Sequence, residues 1–331
     1  MDANCMIETR GLRRTFKARQ GPIEAVAGID LRVESGAIFG FLGPNGAGKT
    51  TTLRMLSTLL PPSGGEAAVA GCDLLQRPQQ VRERIGYVGQ LGGTDYTVPG
   101  RTELVFQGRL HGMGAGEARR RAAELITMLE LDGCADRPSG SYSGGQRRRL
   151  DIALGLVHRP RLVFLDEPTG GLDPQGRARL WDEIRRLREG GMTVFLTTHY
   201  LEEADALCDR LAIIDHGRIV AEGTPDQLKR QIAGDVVKLG VAGSRNSALE
   251  LLAGQPFVRE AVAEDGALRL AVDHGEAAMP AILTAGQRWI TARNHLTFQA
   301  QPRRRVPAKD RPLAARAGRM IQGEGSHEGP S

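Results

Sequence analysis

The sequence predicts an α/β fold in which a largely parallel sheet is covered by helices. The first observation is a series of short apolar runs, at 37–42, 162–165, 193–197 and 211–214. Short runs that are apolar throughout are typical of strands buried on both faces, as in parallel sheets. The second observation is that helix-like segments, such as 175–189, separate these runs. Strands that alternate with helices in this way indicate a parallel sheet with helical crossovers.

Length and composition are those of a globular protein. The chain has 331 residues, of which 40% are hydrophobic and 25% are charged, and this excludes a wholly disordered chain. The apolar runs are far shorter than the ~18 residues that a membrane-spanning helix needs. Asp2 and Glu8 lie near the start, where no apolar stretch of signal-peptide length occurs, so we expect no export. The four cysteines are scattered, and we expect reduced thiols.

Three regions are expected along the chain. Residues 1–232 are expected to form an α/β domain with a mostly helical insert over about 91–158. Residues 233–300, with strand-like segments at 236–241 and 267–272 and a helix-like one at 247–253, predict a small α+β accessory domain. Residues 301–331 hold seven basic and three acidic residues and predict a disordered basic tail. This tail carries most of the net charge of +5, so the charge does not indicate a nucleic-acid site on the folded body.

The first apolar run ends in a complete phosphate-binding pattern. Residues 43–50 read Gly-Pro-Asn-Gly-Ala-Gly-Lys-Thr and match G-x-x-x-x-G-K-[ST], between a strand and a helix over 51–56. The glycines let successive N–H groups face an anion, and the helix adds its positive end. Lys49 can reach the outer phosphates, the Thr50 hydroxyl suits Mg²⁺, and Thr51 lies near the innermost phosphate. A glycine-rich turn with an exposed lysine is the plain alternative, which the complete pattern disfavours.

Two adjacent carboxylates close the run at 162–165. Asp166 and Glu167 stand at the carboxyl end of a strand, where parallel sheets bind ligands. Asp166 suits Mg²⁺ held through water, and Glu167 suits the polarisation of an attacking water. Alone, the pair is more simply an acidic turn, but beside the phosphate loop the catalytic interpretation is stronger. His199 follows the next strand and could bond the outer phosphate, although a lone histidine is more often structural.

A second glycine-rich element, at 143–146, precedes a helix over 147–157. A Ser-Gly-Gly turn that opens a helix is another anion-binding arrangement, although such turns are common and carry little weight alone. The run Arg147-Arg148-Arg149 follows it, and we expect a solvated helix face there rather than a nucleic-acid site.

In this order along the chain, these elements resemble the nucleotide-binding subunit of an ATP-binding-cassette (ABC) transporter. The resemblance covers about residues 6–230 and implies a P-loop NTPase (RecA-like) core. It rests on Phe16, the loop 43–50, Gln90, the loop 143–146, Asp166, Glu167, the segment 171–173 and His199. The strings 142–150 and 166–174 look most like the daunorubicin-resistance-type branch of drug exporters, in which a small C-terminal domain follows the ATPase. Residues 289–331 show nothing similar to the end of that branch, and we assign them no role.

The resemblance implies a role for each matching residue. Phe16 looks like the aromatic residue that stacks on adenine, although tyrosine is common there, and Gln90 looks like the residue that senses Mg²⁺ and the attacking water. The expected catalytic residues are Glu167, His199 and Gln90, and the expected Mg²⁺ residues are Thr50, Gln90 and Asp166. The expected nucleotide-binding residues are Phe16, Gly43, Pro44, Asn45, Gly46, Ala47, Gly48, Lys49, Thr50, Thr51, Ser143, Gly144, Gly145, Gln146 and Asp173.

The resemblance also implies ATP as substrate, Mg²⁺ as cofactor, and a homodimer that shares two ATP molecules. The 143–146 loop of one chain would grip the γ-phosphate bound to the other. A separate transmembrane permease would contact the groove beside Gln90 and residues 91–112, and would hold the chain at the cytoplasmic face of the cell membrane. The implied function is ATP-driven efflux of a drug-like or lipid-like substrate.

Two other function classes stay open at this point. The alternative is a soluble, non-transport ABC ATPase that acts on nucleic acid or ribosomes, a class that commonly shows coiled-coil insertions, zinc cysteines or two cassettes in a chain. This sequence has none of these, so no specific nucleic-acid binding is expected. A module that binds nucleotide without hydrolysis is disfavoured by the presence of Glu167 and His199.

Overall fold

The computed structural model describes residues 4–19, 21–233, 235–241, 245–256, 258–264 and 267–272, with the separate positions 278, 280–282, 284 and 298–300. The chain divides into two compact units between Pro225 and Asp226. The domain limits at 232 and 300 stay predictions, and the expected tail at 301–331 lies outside the described residues.

The first unit combines two sheets with helices. Its strands are β1 (Cys5–Ala18), β2 (Gly21–Glu34), β3 (Ile38–Leu42), β4 (Gly64–Val69), β5 (Cys72–Asp73), β6 (Ile85–Val88), β7 (Leu162–Asp166), β8 (Thr193–Thr198), β9 (Arg210–Asp215) and β10 (Arg218–Gly223). Its helices are α1 (Lys49–Leu56), α2 (Pro78–Arg84), α3 (Gly100–Leu110), α4 (Ala115–Met128), α5 (Gly144–Leu156), α6 (Pro174–Glu189) and α7 (Leu201–Leu207).

The central sheet has six strands in the order β10-β9-β3-β8-β7-β6. The strands β9, β3, β8, β7 and β6 pair in parallel, and β10 pairs with β9 antiparallel. The four apolar runs are β3, β7, β8 and β9, so the prediction of a largely parallel sheet is confirmed. Because the carboxyl ends of parallel strands lie at the same edge of a sheet, the segments that follow β3, β6, β7 and β8 meet at that edge.

The interior of this sheet explains why β3, β7 and β8 carry only one charged residue, Asp166. Every residue of β3, β7 and β8 is buried. The Phe195 ring lies at the centre of an aromatic cluster, with centroids 5.6 Å from Phe39, 5.7 Å from Phe41 and 5.6 Å from Phe164. Fully burying one such side chain contributes about 1.5–3 kcal/mol, so this cluster is a large part of what holds the sheet rigid.

A second, antiparallel sheet in the order β2-β1-β4-β5 was not anticipated from the sequence. Its signal is present in β2, where the buried Ile29, Leu31 and Val33 alternate with exposed charged residues. Alternation of this kind is the mark of a strand with one face in the core and one in solvent. The buried face joins the same hydrophobic core as the central sheet.

Helices α3, α4 and α5 occupy the region between Gln90 and β7, as the predicted helical insert requires. In α4 the buried Ala118, Ala122, Leu125 and Ile126 recur at helical spacing and form one apolar stripe. Within the described part of the chain, no helix combines the length and the apolar character needed to cross a bilayer.

The second unit is a small α+β structure. Helix α8 (Pro225–Ala233) spans the division between the units and is followed by β11 (Asp235–Val241), α9 (Arg245–Ala253), β12 (Val258–Glu264), β13 (Ala267–Val272) and β14 (Phe298–Ala300). The antiparallel sheet has the order β12-β13-β11-β14. Leu239, Leu252, Leu268 and Leu270 form its buried core. The two predicted strands and the predicted helix of this region lie within β11, β13 and α9, whereas β12 and β14 were missed.

Candidate functional site

The phosphate loop, residues 43–50, connects β3 to α1 and is shaped by two glycines. Gly48 has a φ of 105°, a conformation that favours glycine, and a Cβ atom there would lie 2.5 Å from the Ala25 carbonyl oxygen. A Cβ atom on Gly43 would collide with the backbone carbonyl of Ile214. No side chain caps the first turn of α1, so that turn presents its backbone N–H groups to an anion.

Lys49 is the buried cation of this loop. Its Nζ atom donates hydrogen bonds to the carbonyl oxygens of Gly43 (2.8 Å) and Pro44 (3.0 Å) and lies 3.4 Å from Oε1 of Glu167. Burial lowers the pKa of the Lys49 ammonium, and the Glu167 carboxylate partly opposes that shift. The amine is therefore held inside the loop, with its charge available to a phosphate.

Thr50 and Asp166 meet in front of the phosphate loop. Oδ1 of Asp166 accepts hydrogen bonds from the hydroxyls of Thr50 (3.2 Å) and Thr197 (2.6 Å). Mg²⁺ in nucleotide sites is typically held by one or two protein oxygens together with phosphate oxygens. The described residues contain no cluster of three or more His, Cys, Asp or Glu side chains suited to a metal. The Thr50 hydroxyl and the Asp166 carboxylate are a donor pair that fits Mg²⁺ bound together with nucleotide phosphates.

Glu167 is the residue on which three of the expected site residues converge. Nε2 of Gln90 donates to its Oε2 atom at 3.3 Å. Nδ1 of His199 lies 3.2 Å from the same oxygen, but without the alignment of a hydrogen bond. Nζ of Lys49 lies 3.4 Å from the other carboxylate oxygen, Oε1. The carboxylate thus lies among a lysine, an amide and an imidazole, the neighbours that a water-orienting base beside a phosphate needs.

The signature loop, residues 143–146, begins α5 with a reciprocal capping box. The Ser143 hydroxyl accepts from the Gln146 N–H at 3.2 Å, and the Gln146 side-chain oxygen accepts from the Ser143 N–H at 3.0 Å. Ser143 and Gly144 are exposed. Within the described residues, no hydrogen bond or ion pair joins this loop to the phosphate loop of the same chain. The structure does not bring these two predicted phosphate sites together within one chain.

Two further expected nucleotide-binding residues, Asp173 and Phe16, contact other parts of the chain. Asp173 is the N-cap of α6, and its Oδ1 atom accepts from the Gly176 N–H at 2.8 Å. Phe16 is half-buried on β1, and the Arg14 guanidinium lies 4.7 Å from its ring centroid. The Phe16 ring therefore stacks with one planar group, the Arg14 guanidinium, in this structure.

The expectation of a solvated arginine face at 147–149 is wrong for Arg148 and Arg149. Arg148 is only 7% exposed, and its guanidinium donates to the carbonyl oxygens of Asp166 (2.9 Å), Pro168 (2.9 Å) and Gly89 (2.7 Å). Arg149 reaches the buried Glu183 at 3.4 Å. The missed signal is helical spacing, because Arg148 lies four and eight positions before the buried Ile152 and Leu156.

Two more side chains of α5 hold the segment that follows Gln90. Oδ1 of Asp151 accepts from the Gly93 N–H at 3.0 Å, and burial raises the pKa of the Asp151 carboxyl. The Arg147 guanidinium stacks on the Tyr96 ring at 4.5 Å from its centroid. Residues 89–96, here called the glutamine loop, therefore contact α5 at Gly89, Gly93 and Tyr96.

Comparison with known proteins agrees with this geometry. A family model described as ABC transporter matches residues 26–170. The chain is 50% identical to the daunorubicin/doxorubicin resistance ATP-binding protein DrrA of Streptomyces peucetius over 251 residues, 75% of each chain. It is 34% identical to the linearmycin resistance ATP-binding protein LnrL of Bacillus subtilis over 299 residues, 89% of this chain and 94% of that one.

Solved structures show the same fold. An ATP-binding cassette described as a dimeric post-hydrolysis state bound to ADP and Pi is 25% identical, with a TM-score of 0.62, and the match covers 66% of this chain and 99% of the cassette. A component of a Clostridium perfringens ABC transporter complex is 26% identical, with a TM-score of 0.62, and the match covers 68% of this chain and 90% of that one.

The fold and the residues around Glu167 define a P-loop ATPase of the cassette type. The chain belongs to the family of ABC transporter ATP-binding subunits. It is an ATP-hydrolysing protein of that family, and the alternative of a non-transport ATPase acting on nucleic acid or ribosomes is not favoured by these relatives.

Proposed function

We propose that this chain drives the efflux of a drug-like or lipid-like molecule through a separate membrane subunit. The observation that carries the proposal is the convergence of Lys49, Gln90 and His199 on the Glu167 carboxylate, next to Asp166 and Thr50. The cargo class is supported by relatives named for daunorubicin, doxorubicin or linearmycin resistance and for Nod factor export, the last being 42% identical over 227 residues in Burkholderia orbicola.

Hydrolysis follows from the roles that these positions allow. The N–H groups of the phosphate loop and the Lys49 ammonium bind the β- and γ-phosphates. Thr50, Asp166 and Gln90 would hold Mg²⁺, which supplies charge neutralisation at the phosphate oxygens. The Glu167 carboxylate orients a water molecule toward the γ-phosphate and accepts its proton, while His199 donates a hydrogen bond to the γ-phosphate. Phe16 and Thr51 bind the adenine and the α-phosphate.

Two copies of the chain are proposed to share two ATP molecules. The signature loop is exposed and has no bond to its own phosphate loop among the described residues, so it is free to bind the γ-phosphate held by a second copy. Asp173 stands beside this loop, since Leu172 would lie 3.7 Å from a Cβ atom on Gly144. A dimeric cassette among the similar solved structures supports the arrangement.

The surface proposed for the membrane subunit lies within residues 91–112, where Leu91, Tyr96, Phe106 and Leu110 are all exposed. Phe106 and Leu110 lie four positions apart on α3 and therefore share one face of that helix. Leu91 follows Gln90 directly, so a partner that moves this segment also moves the Gln90 amide that contacts Glu167. Binding here would place the chain peripherally at the cytoplasmic face of the membrane.

The proposal is tested in cells that express the chain together with the membrane protein encoded next to its gene. We expect accumulated daunorubicin to fall in these cells, and to return to the level of control cells with Glu167→Gln, which keeps the shape of the side chain but loses its charge. Glu202→Gln, an exposed position on α7, is the matched control and should preserve efflux. Equal accumulation with the parent chain and with Glu167→Gln would rule out ATP-driven export of this drug.

A further inference from the structure

Arg148 is a buried cation that the mechanism above does not use. Burying a guanidinium is costly unless its donors are satisfied, and here three of its nitrogens donate to backbone carbonyl oxygens. Burial lowers the pKa of the guanidinium, and the carboxylates of Asp151 and Asp166 offset that shift, so the charge is retained. These carbonyls come from two separate segments of the chain, one at Gly89 and one at 166–168.

The carbonyls that accept from Arg148 surround the catalytic glutamate. Those of Asp166 and Pro168 belong to the residues immediately before and after Glu167, and that of Gly89 belongs to the residue before Gln90. One planar group therefore holds the backbone on both sides of the general base and beside the amide that contacts it. Arginine suits this task because its donors are fixed in a rigid fork, whereas lysine offers a single nitrogen on a flexible stem.

The backbone that Arg148 holds is strained. Glu167 has a φ of 44°, which is unfavourable for a residue with a side chain. Such a conformation persists only where surrounding contacts over-determine it. The Glu167 N–H donates to the carbonyl oxygen of Thr197 (3.1 Å) and to its hydroxyl (3.0 Å), which fixes one side of the residue. Arg148 supplies the bonds to both flanking carbonyls.

We infer that Arg148 is a positioning residue that holds Glu167 in its left-handed conformation and keeps Gln90 beside it. The inference rests on the proposed role of Glu167 as the base. Because Arg148 stands two positions after Gln146 on α5, it also connects the helix that begins at the signature loop to the backbone around the base. A displacement of α5 is thus transmitted to the carboxylate that orients the attacking water.

Arg121 provides a matched control. It is also a buried arginine, 8% exposed, and it donates to the carbonyl oxygens of Leu156 (2.8 Å) and Val157 (3.1 Å). These two carbonyls lie at the opposite end of α5, away from Glu167. Arg121→Lys and Arg148→Lys therefore remove comparable contacts, but only the second removes them at the base.

The experiment measures ATP hydrolysis by the full chain together with thermal stability. We expect Arg148→Lys to lower kcat about tenfold or more, because a catalytic group displaced by about 1 Å can cost a factor of 10². KM for ATP should change less than about threefold, because the phosphate loop is untouched. Arg121→Lys should lose a similar amount of Tm and keep kcat within about twofold. Should Arg148→Lys not fold, Arg148→Gln, which keeps one donor group, takes its place.

A double variant separates positioning from general damage. If Arg148 acts through Glu167, adding Arg148→Lys to Glu167→Gln should reduce the residual hydrolysis less than about twofold. The inference is overturned if Arg148→Lys retains more than half of the parent kcat, or if Arg121→Lys lowers kcat as much as Arg148→Lys does. It is also overturned if the effects of Arg148→Lys and Glu167→Gln on kcat multiply in the double variant. If Glu167→Gln itself hydrolyses ATP at the parent rate, it is the proposed base that fails.

Discussion

Helices α1 and α5 both begin at glycine-rich loops, but the two helix ends are completed differently. At α1 the first residue before the helix is a left-handed glycine, no side chain caps the first turn, and the buried Lys49 amine lies within the loop. At α5 the Ser143 hydroxyl and the Gln146 amide cap the first turn reciprocally, and Ser143 is exposed. One end is open to a ligand, whereas the other already satisfies part of its own hydrogen-bonding capacity.

This difference assigns unequal shares of nucleotide binding to the two loops. The α1 loop has the open N–H groups, the lysine and the nearby carboxylates within one chain, so we expect it to bind ATP without help. In the proposed dimer the α5 loop would exchange its capping contacts for contacts with a phosphate bound to the second copy. Only the net gain in free energy from that exchange would stabilise the dimer. Variants of the first loop should therefore act on binding, and variants of the second on closure of the dimer.

The largest effect is expected for Lys49→Ala. Removing the ammonium leaves the phosphates without their nearest cation, so we expect ATP affinity to fall about 100-fold or more and hydrolysis to disappear. Equilibrium binding of a fluorescent ATP analogue measures this. Lys229→Ala, on α8 and not among the proposed site residues, is the control and should bind normally. Binding within threefold of the parent chain would contradict the assignment of Lys49.

Glu167→Gln should separate binding from hydrolysis. The amide cannot accept the proton of water, so we expect hydrolysis to fall about 100-fold or more while ATP binding persists. Removal of a negative charge near the γ-phosphate should also favour the closed dimer, which size-exclusion chromatography with ATP would detect. A variant that remains monomeric in saturating ATP would weaken the shared-site proposal for the isolated chain.

A smaller effect is expected for Ser143→Ala. Losing the cap should destabilise α5 by about 1 kcal/mol, and losing the hydroxyl should lower ATP-dependent dimerisation and hydrolysis about tenfold without changing ATP affinity. Ser141→Ala is the matched control, because its hydroxyl donates to the Pro138 carbonyl oxygen just outside the loop. Dimerisation equal to that of the parent would show that the second helix end does not bind phosphate.

The smallest effect on hydrolysis is expected at the contact between α5 and α6, where a change in stability is predicted instead. Burial raises the pKa of Glu183 to about 7, above its ordinary value of 4.5, so the folded state favours the neutral acid. Stability from this group is complete below about pH 4.5 and is lost as the pH rises through about 7. Between about pH 5 and pH 8 the parent chain should lose on the order of 1–3 kcal/mol that Glu183→Gln keeps, a Tm difference of a few degrees. Glu202→Gln is the exposed control. If Tm changes with pH in the same way for the parent chain and for Glu183→Gln, the raised pKa of Glu183 is contradicted.

Much of the site could be predicted because its elements are local. The phosphate loop is a contiguous pattern, and Asp166 and Glu167 directly follow an apolar run whose strand character is readable from its composition. The antiparallel sheet was missed although the alternation at Ile29, Leu31 and Val33 was available, because it lies in long strands interrupted by register shifts. Such interruptions break the period-two pattern that identifies a strand.

What the amino-acid sequence determined by itself was the order of apolar runs and loops, and with it the parallel sheet, the open start of α1 and the family. What only the tertiary structure decided was which distant groups meet. Arg148 lies in a run of three arginines that is indistinguishable by composition from a solvated face, yet it is buried because carbonyls from two other segments lie around it. The position of a charged side chain depends on such unsatisfied partners, and these exist only after the strands and loops have packed.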